Sequence, residues 1–66
     1  MNEVEVYYLS GKTYQKRKHQ HYEEEFDAMD IFDKTVKKFQ GQRTEALVVF
    51  RILERGLWRT VKTART

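Results

Sequence analysis

The chain has no cysteine and no proline, three glycines and a single serine. Without cysteine there can be no disulfide, no thiolate metal site and no thiol nucleophile. The lack of proline suits a compact domain of regular elements joined by short turns. The glycines stand alone in turn-like contexts, so a phosphate-binding Gly-rich loop is absent. No apolar run approaches the roughly 18 residues that a bilayer span needs. No leader-like stretch is visible, and a soluble, cytoplasmic protein without membrane partners is expected. Sixty-six residues make one domain, of a size that buries only about 60% of its unfolded surface. Its core must be thin.

What is present is organised around residues 23–39, EEEFDAMDIFDKTVKKF. Tyr22, Phe26, Met29, Phe32, Val36 and Phe39 recur at steps of three and four and predict the buried stripe of an amphipathic helix. Ala28 and Thr35 lie on its shoulder. The acids crowd its first half and Lys34, Lys37 and Lys38 its last turns, as the helix dipole favours. No side chain suited to cap the start precedes Glu23, and Gly41 stands where a C-terminal cap is expected. A carboxylate cluster of this kind is far more often a solvated helix start than a metal or acid–base site.

The flanking segments alternate as strands do. Val4, Val6 and Tyr8 share one face of the first, with Glu3, Glu5 and Tyr7 on the other. Ser10-Gly11-Lys12 reads as a tight turn. Residues 13–22, TYQKRKHQHY, offer no aliphatic side chain, so this strand belongs at a sheet edge. Residues 44–53 are apolar on both faces and read as a central strand. Glu54-Arg55-Gly56 is a turn leading to a last strand from Leu57 to about Thr63, and residues 64–66 are expected to fray. The expected fold is α+β, ββαββ, a four-stranded antiparallel sheet of order 2-1-3-4 with one helix packed on one face. One helix leaves the second face bare. Val48, Val49, Phe50, Ile52, Leu53 and Trp58 are many large residues for it to cover, so a homodimer or a protein partner on the free sheet face is expected.

Catalysis is not expected, because Ser10 has no base beside it and a chain this small has little room for a water-excluding pocket. His19 and His21 share a strand face, yet no third ligand stands at suitable spacing in the sequence. No metal or cofactor is expected.

The net charge is +3, and outside residues 23–39 ten bases face four acids. Two binding readings follow. The first is a protein–protein module using Lys16, Arg17, Lys18, Arg51, Arg55, Trp58 and Arg59, since aromatic and Arg side chains are favoured anchors. The second is a nucleic-acid binder in which Lys16-Arg17-Lys18 and the arginines of the C-terminal hairpin neutralise phosphates. There, Tyr7, Tyr14 and Trp58 would stack on bases. In size, charge density, lack of cysteine and two hairpins around one helix, the chain resembles small phage-encoded accessory proteins, including some anti-CRISPR inhibitors. That resemblance implies inhibition by steric occlusion of a host machine.

Overall fold

The computed structural model describes the backbone of residues 1–66 and the side chains of all but Ser10 and Arg17. Strands β1 (Asn2–Ser10) and β2 (Thr13–Tyr22) precede helix α1 (Glu25–Gln42), and β3 (Ala46–Glu54) and β4 (Leu57–Arg65) follow. The class is α+β: one helix lies on one face of an antiparallel sheet whose strands run in the order β2-β1-β3-β4. Among the described residues, no helix is long and apolar enough to cross a membrane.

The core lies between α1 and the two central strands. Val4 and Val6 of β1 and Ala46, Val48 and Phe50 of β3 meet Ala28, Phe32 and Phe39 of the helix. Tyr8 meets the Phe39 ring edge-on, with centroids 5.4 Å apart. The buried stripe is rotated from the expected one. Ala28, Phe32 and Phe39 are buried and Ile31, Thr35 and Val36 half-buried, whereas Met29 is exposed and Phe26 is 80% exposed. The physical reason is placement: α1 packs over β1, β2 and β3 and makes little contact with β4. On its flank toward β4, Asp33 meets Lys62, while Phe26 and Met29 are left uncovered.

Both helix ends depart from expectation. The helix begins two residues late, and Glu24 at its N-cap makes no side-chain capping bond. Buried Asn2 anchors the chain just ahead of the helix, its amide donating to the Tyr22 and Glu23 carbonyls at 3.2 and 3.0 Å. Gly41 lies inside the helix, and Arg43 (φ 54°) takes the left-handed closing position. The Arg43 N–H bonds the Gln40 carbonyl and the Thr44 N–H the Phe39 carbonyl, which is the Schellman pattern. The C-terminus does not fray: β4 reaches Arg65, and the Thr66 hydroxyl donates to the Thr44 carbonyl while accepting from the Ala46 N–H. At the β3–β4 turn both Arg55 (φ 52°) and Gly56 (φ 79°) have positive φ. Glu54 pairs with Leu57, so the loop has two residues, as a type I′ hairpin requires.

Two register slips decide which face the functional candidates reach. Between Val6 and Tyr7 the β2 partner steps from Lys18 to Lys16, and between Phe50 and Arg51 the β4 partner steps from Lys62 to Thr60. A strand of strict alternation would put Lys16 with Lys18, and Trp58 with Lys62, on single faces. The slips separate them.

Candidate functional site

The face of the sheet opposite α1 has no second layer, yet its centre is closed. Glu3 and Glu5, which the alternation puts on the face opposite Val4 and Val6, are buried, Glu5 to 1% exposure. They project from a central strand, and long side chains from three strands converge on them. Lys16 Nζ lies 2.6 Å from Glu5 and the Tyr7 hydroxyl donates to Glu5 at 3.0 Å. Arg51 bridges both acids: its Nη2 donates to Glu3 at 3.2 Å. Arg51 Nε lies 2.8 Å from Glu5, close enough for an ionic contact, but it is buried and lacks an aligned hydrogen bond. His21 Nε2 donates to Glu3 at 2.8 Å.

Trp58 closes the top. Its ring lies 6.0 Å from that of His21, nearly parallel, and the Arg51 guanidinium sits 5.0 Å from the Trp58 centroid. His21 and Trp58 come from β2 and β4, the two edges of the sheet, nominally roughly 14 Å apart at about 4.8 Å per strand. Side chains from both edges thus arch over the central strands. Arg65 of β4 and Tyr14 of β2 do the same at 5.7 Å.

This network sets the local protonation. Burial pushes the Glu3 carboxyl up, but hydrogen bonds from His21 and Arg51, with the Arg51 charge, outweigh it and hold Glu3 below its ordinary value. Burial and the bond to Glu5 raise the Tyr7 phenol. The hydrogen bond to Glu5, with its charge, raises Lys16. Each shift favours the form that keeps the network intact.

The candidate residues are accordingly scattered. Lys16 joins the carboxylates on the open face, while Lys18 lies on the helix face beside Val4, Val6 and Ile31. The Arg17 side chain falls outside the described residues. The basic triplet therefore does not present Lys16 and Lys18 on one surface. Arg51 is committed to Glu3, Glu5 and Trp58, and Arg59 to Glu54 at 2.8 Å. Arg55 is exposed in the turn. Of the proposed stacking residues, Tyr7 is tied to Glu5, Tyr14 lies under Arg65 and Trp58 against His21.

The sequence reading also lacked an acid near the histidines. The register supplies one for each, pairing Glu3 with His21 and Glu5 with His19. The signal was present in the two alternations, ExE and HxH, but depended on register. Among the described residues no group of three is arranged to hold a metal ion. The cavity between β2 and α1 has about 90 Å³, and a wider, open hollow at Met1, His21, Tyr22 and Glu23 about 470 Å³.

What stands open is apolar. The exposed large hydrophobic side chains among the described residues are Met1, Phe26, Met29, Leu57 and Trp58. They lie toward one end of the sheet, where β1 and α1 begin, β3 ends and β4 begins, with Trp58 on the open face and Leu57, Phe26 and Met29 on the helix side. Met1 is held there by the Leu53 N–H, which donates to its carbonyl at 2.8 Å. No protein-family model, curated protein or solved structure matches this chain.

Proposed function

We propose that this chain is a non-enzymatic protein-binding domain whose contact surface is the apolar end of the sheet. The observation that carries this reading is the exposure of Phe26 and Met29 on α1 and of Leu57, 75% exposed beside the β3–β4 turn, at the same end of the fold. Large apolar side chains clustered at a surface mark contact sites. Arg55 and Arg59 at the same end are of a type enriched at such sites. The contact surface thus shifts from the centre of the free sheet face, where Lys16, Arg51 and Trp58 serve the internal network, to the hairpin end. Inhibition by occlusion, which the phage-protein resemblance implies, asks for no chemistry beyond such a surface.

Nucleic-acid binding draws less support. Lys16 and Arg51 are offset by Glu3 and Glu5 on the open face, and Lys18 lies on the other side. The test uses the immobilised chain as bait, with Leu57→Asp and Phe26→Asp beside it. A bound protein, either a second copy or another chain, should be retained by the wild type and released by both variants. Equal retention by all three would overturn the reading. Steeply salt-dependent binding to random DNA or RNA would favour the alternative instead.

A further inference from the structure

Helix α1 makes more of its contact with β1 and β3 than with the edge strand β2, and a cavity of about 90 Å³ remains between helix and edge. Its floor is apolar, made by Val4, Val6, Tyr8 and Phe39. Its walls are mostly polar. Lys18 and Gln20 stand opposite Val6 and Val4 in the sheet and so share their helix-facing side, as does Tyr22 two residues further on. From α1 come Ile31, Thr35 and Lys38, spaced i, i+4 and i+7 along one stripe. Aliphatic side chains at Lys18, Gln20 and Thr35 would have extended the core across this gap. These positions carry hydrogen-bonding groups instead.

The charges there are of one sign. No carboxylate lines the cavity, and neither Lys18 nor Lys38 makes an ion pair among the described residues, whereas Lys16, Lys34, Arg51, Arg59 and Lys62 are each matched to an acid. Lys38 Nζ lies 5.8 Å from the centroid of the Phe39 ring, which places its charge beside the floor. Burial alone pushes the Tyr22 phenol up, with no charge or hydrogen bond acting on it, so its O–H remains a neutral donor. A cleft with apolar walls and charge of one sign concentrates counter-ions.

We infer that this cavity binds a small organic anion, its anionic head between Lys18 and Lys38 and a short apolar stem against Val4, Val6 and Phe39. The head offsets two cations that come from opposite walls, and Gln20, Tyr22 and Thr35 supply further donors. The stem is short because 90 Å³ is about three water volumes at about 30 Å³ each. A bare inorganic ion would leave the apolar floor unused. The site goes beyond the protein-binding reading and does not depend on it: it lies on the β2 flank of α1, and Asp33 and Lys62 mark the other flank.

Proton–nitrogen correlation NMR of the full chain tests this, in a titration with straight-chain carboxylates from acetate to octanoate at constant ionic strength. Pentanoate should move the amide signals of Gln20, Ile31, Thr35 and Phe39 and leave those of Arg55 and Leu57 in place. Each added methylene should tighten binding about fourfold until the cavity is full, after which affinity should level off. Pentanol should bind about tenfold more weakly than pentanoate, and pentylamine should not bind. Lys18→Ala and Lys38→Ala, both at exposed positions, should each weaken pentanoate about tenfold, as loss of a charged hydrogen-bond donor does, while keeping the wild-type circular dichroism. Arg43→Ala, beyond the helix end, should leave binding unchanged. Cavity amides that do not move, affinity indifferent to chain length, or binding unaltered in both lysine variants would overturn the inference. Equal shifts with chloride in place of pentanoate would mean general charge screening, and would overturn it too.

Discussion

Phe26 and Phe32 lie on the same helix, six residues apart, and differ almost completely in burial: Phe32 is 1% exposed and Phe26 80%. Truncating each to alanine removes the same atoms from opposite environments. For Phe32 the lost transfer free energy adds to the cavity left among Val4, Val6, Val48 and Phe50, about 3–5 kcal/mol together. At roughly 0.05–0.15 kcal/mol per residue, a chain of 66 residues has about 3–10 kcal/mol to lose. Phe32→Ala should therefore be unfolded or close to it at room temperature. If it still folds, its melting midpoint should fall by about 12 °C or more, at about 4–8 °C per kcal/mol. Phe26→Ala should stay within about 0.5 kcal/mol of the wild type, as exposed substitutions do. Thermal and urea melts followed by far-ultraviolet circular dichroism, at a concentration where the chain is monomeric, give both values. Similar losses for the two variants would refute the rotated helix face, and with it the exposure of the Phe26 side of the contact surface.

Two further outcomes probe the open face. The Glu3 carboxyl is held below its ordinary 4.5, so it stabilises the fold above that value and this contribution disappears as the pH falls through the depressed one. Melting midpoints should drop on acidification below about pH 4.5, and Glu3→Gln should flatten this drop; an unchanged acid profile in the variant would show that Glu3 does not govern it. His21→Ala should uncover the chain's one tryptophan, Trp58, shifting its emission to the red and increasing quenching by acrylamide. Unaltered emission and quenching would mean that the His21 ring does not shield Trp58.

The α+β class, the existence of the helix and the antiparallel strands around it were legible in residue order. Tyr22, Phe26, Met29, Phe32, Val36 and Phe39 carry the helical period, and Val4, Val6 and Tyr8 alternate as a strand. These are local properties, dictated by backbone geometry at steps of 3.6 and 2 residues. The helix's exact inner face was not legible. A stripe with Phe26 and Met29 at one margin and Ala28, Ile31 and Thr35 at the other can be buried in either rotation. Contact with β1, β2 and β3 rather than β4 chose between them.

Sequence alone determined that this chain has no thiol chemistry, no Gly-rich phosphate loop and a central strand apolar on both faces, because these follow from which residues are present and how they alternate. Tertiary structure decided where the charges went. Val-Glu-Val-Glu alternation puts Glu3 and Glu5 on the face opposite Val4 and Val6. Their burial depends on Lys16, His21 and Arg51 arriving from two other strands. Lys16 and Lys18 look like one basic site until a register slip of a single residue sends them to opposite faces of the sheet. Pairing register and inter-strand reach are relations between segments far apart in the chain, and Coulomb energy and burial depend on distance in space, which residue order does not contain.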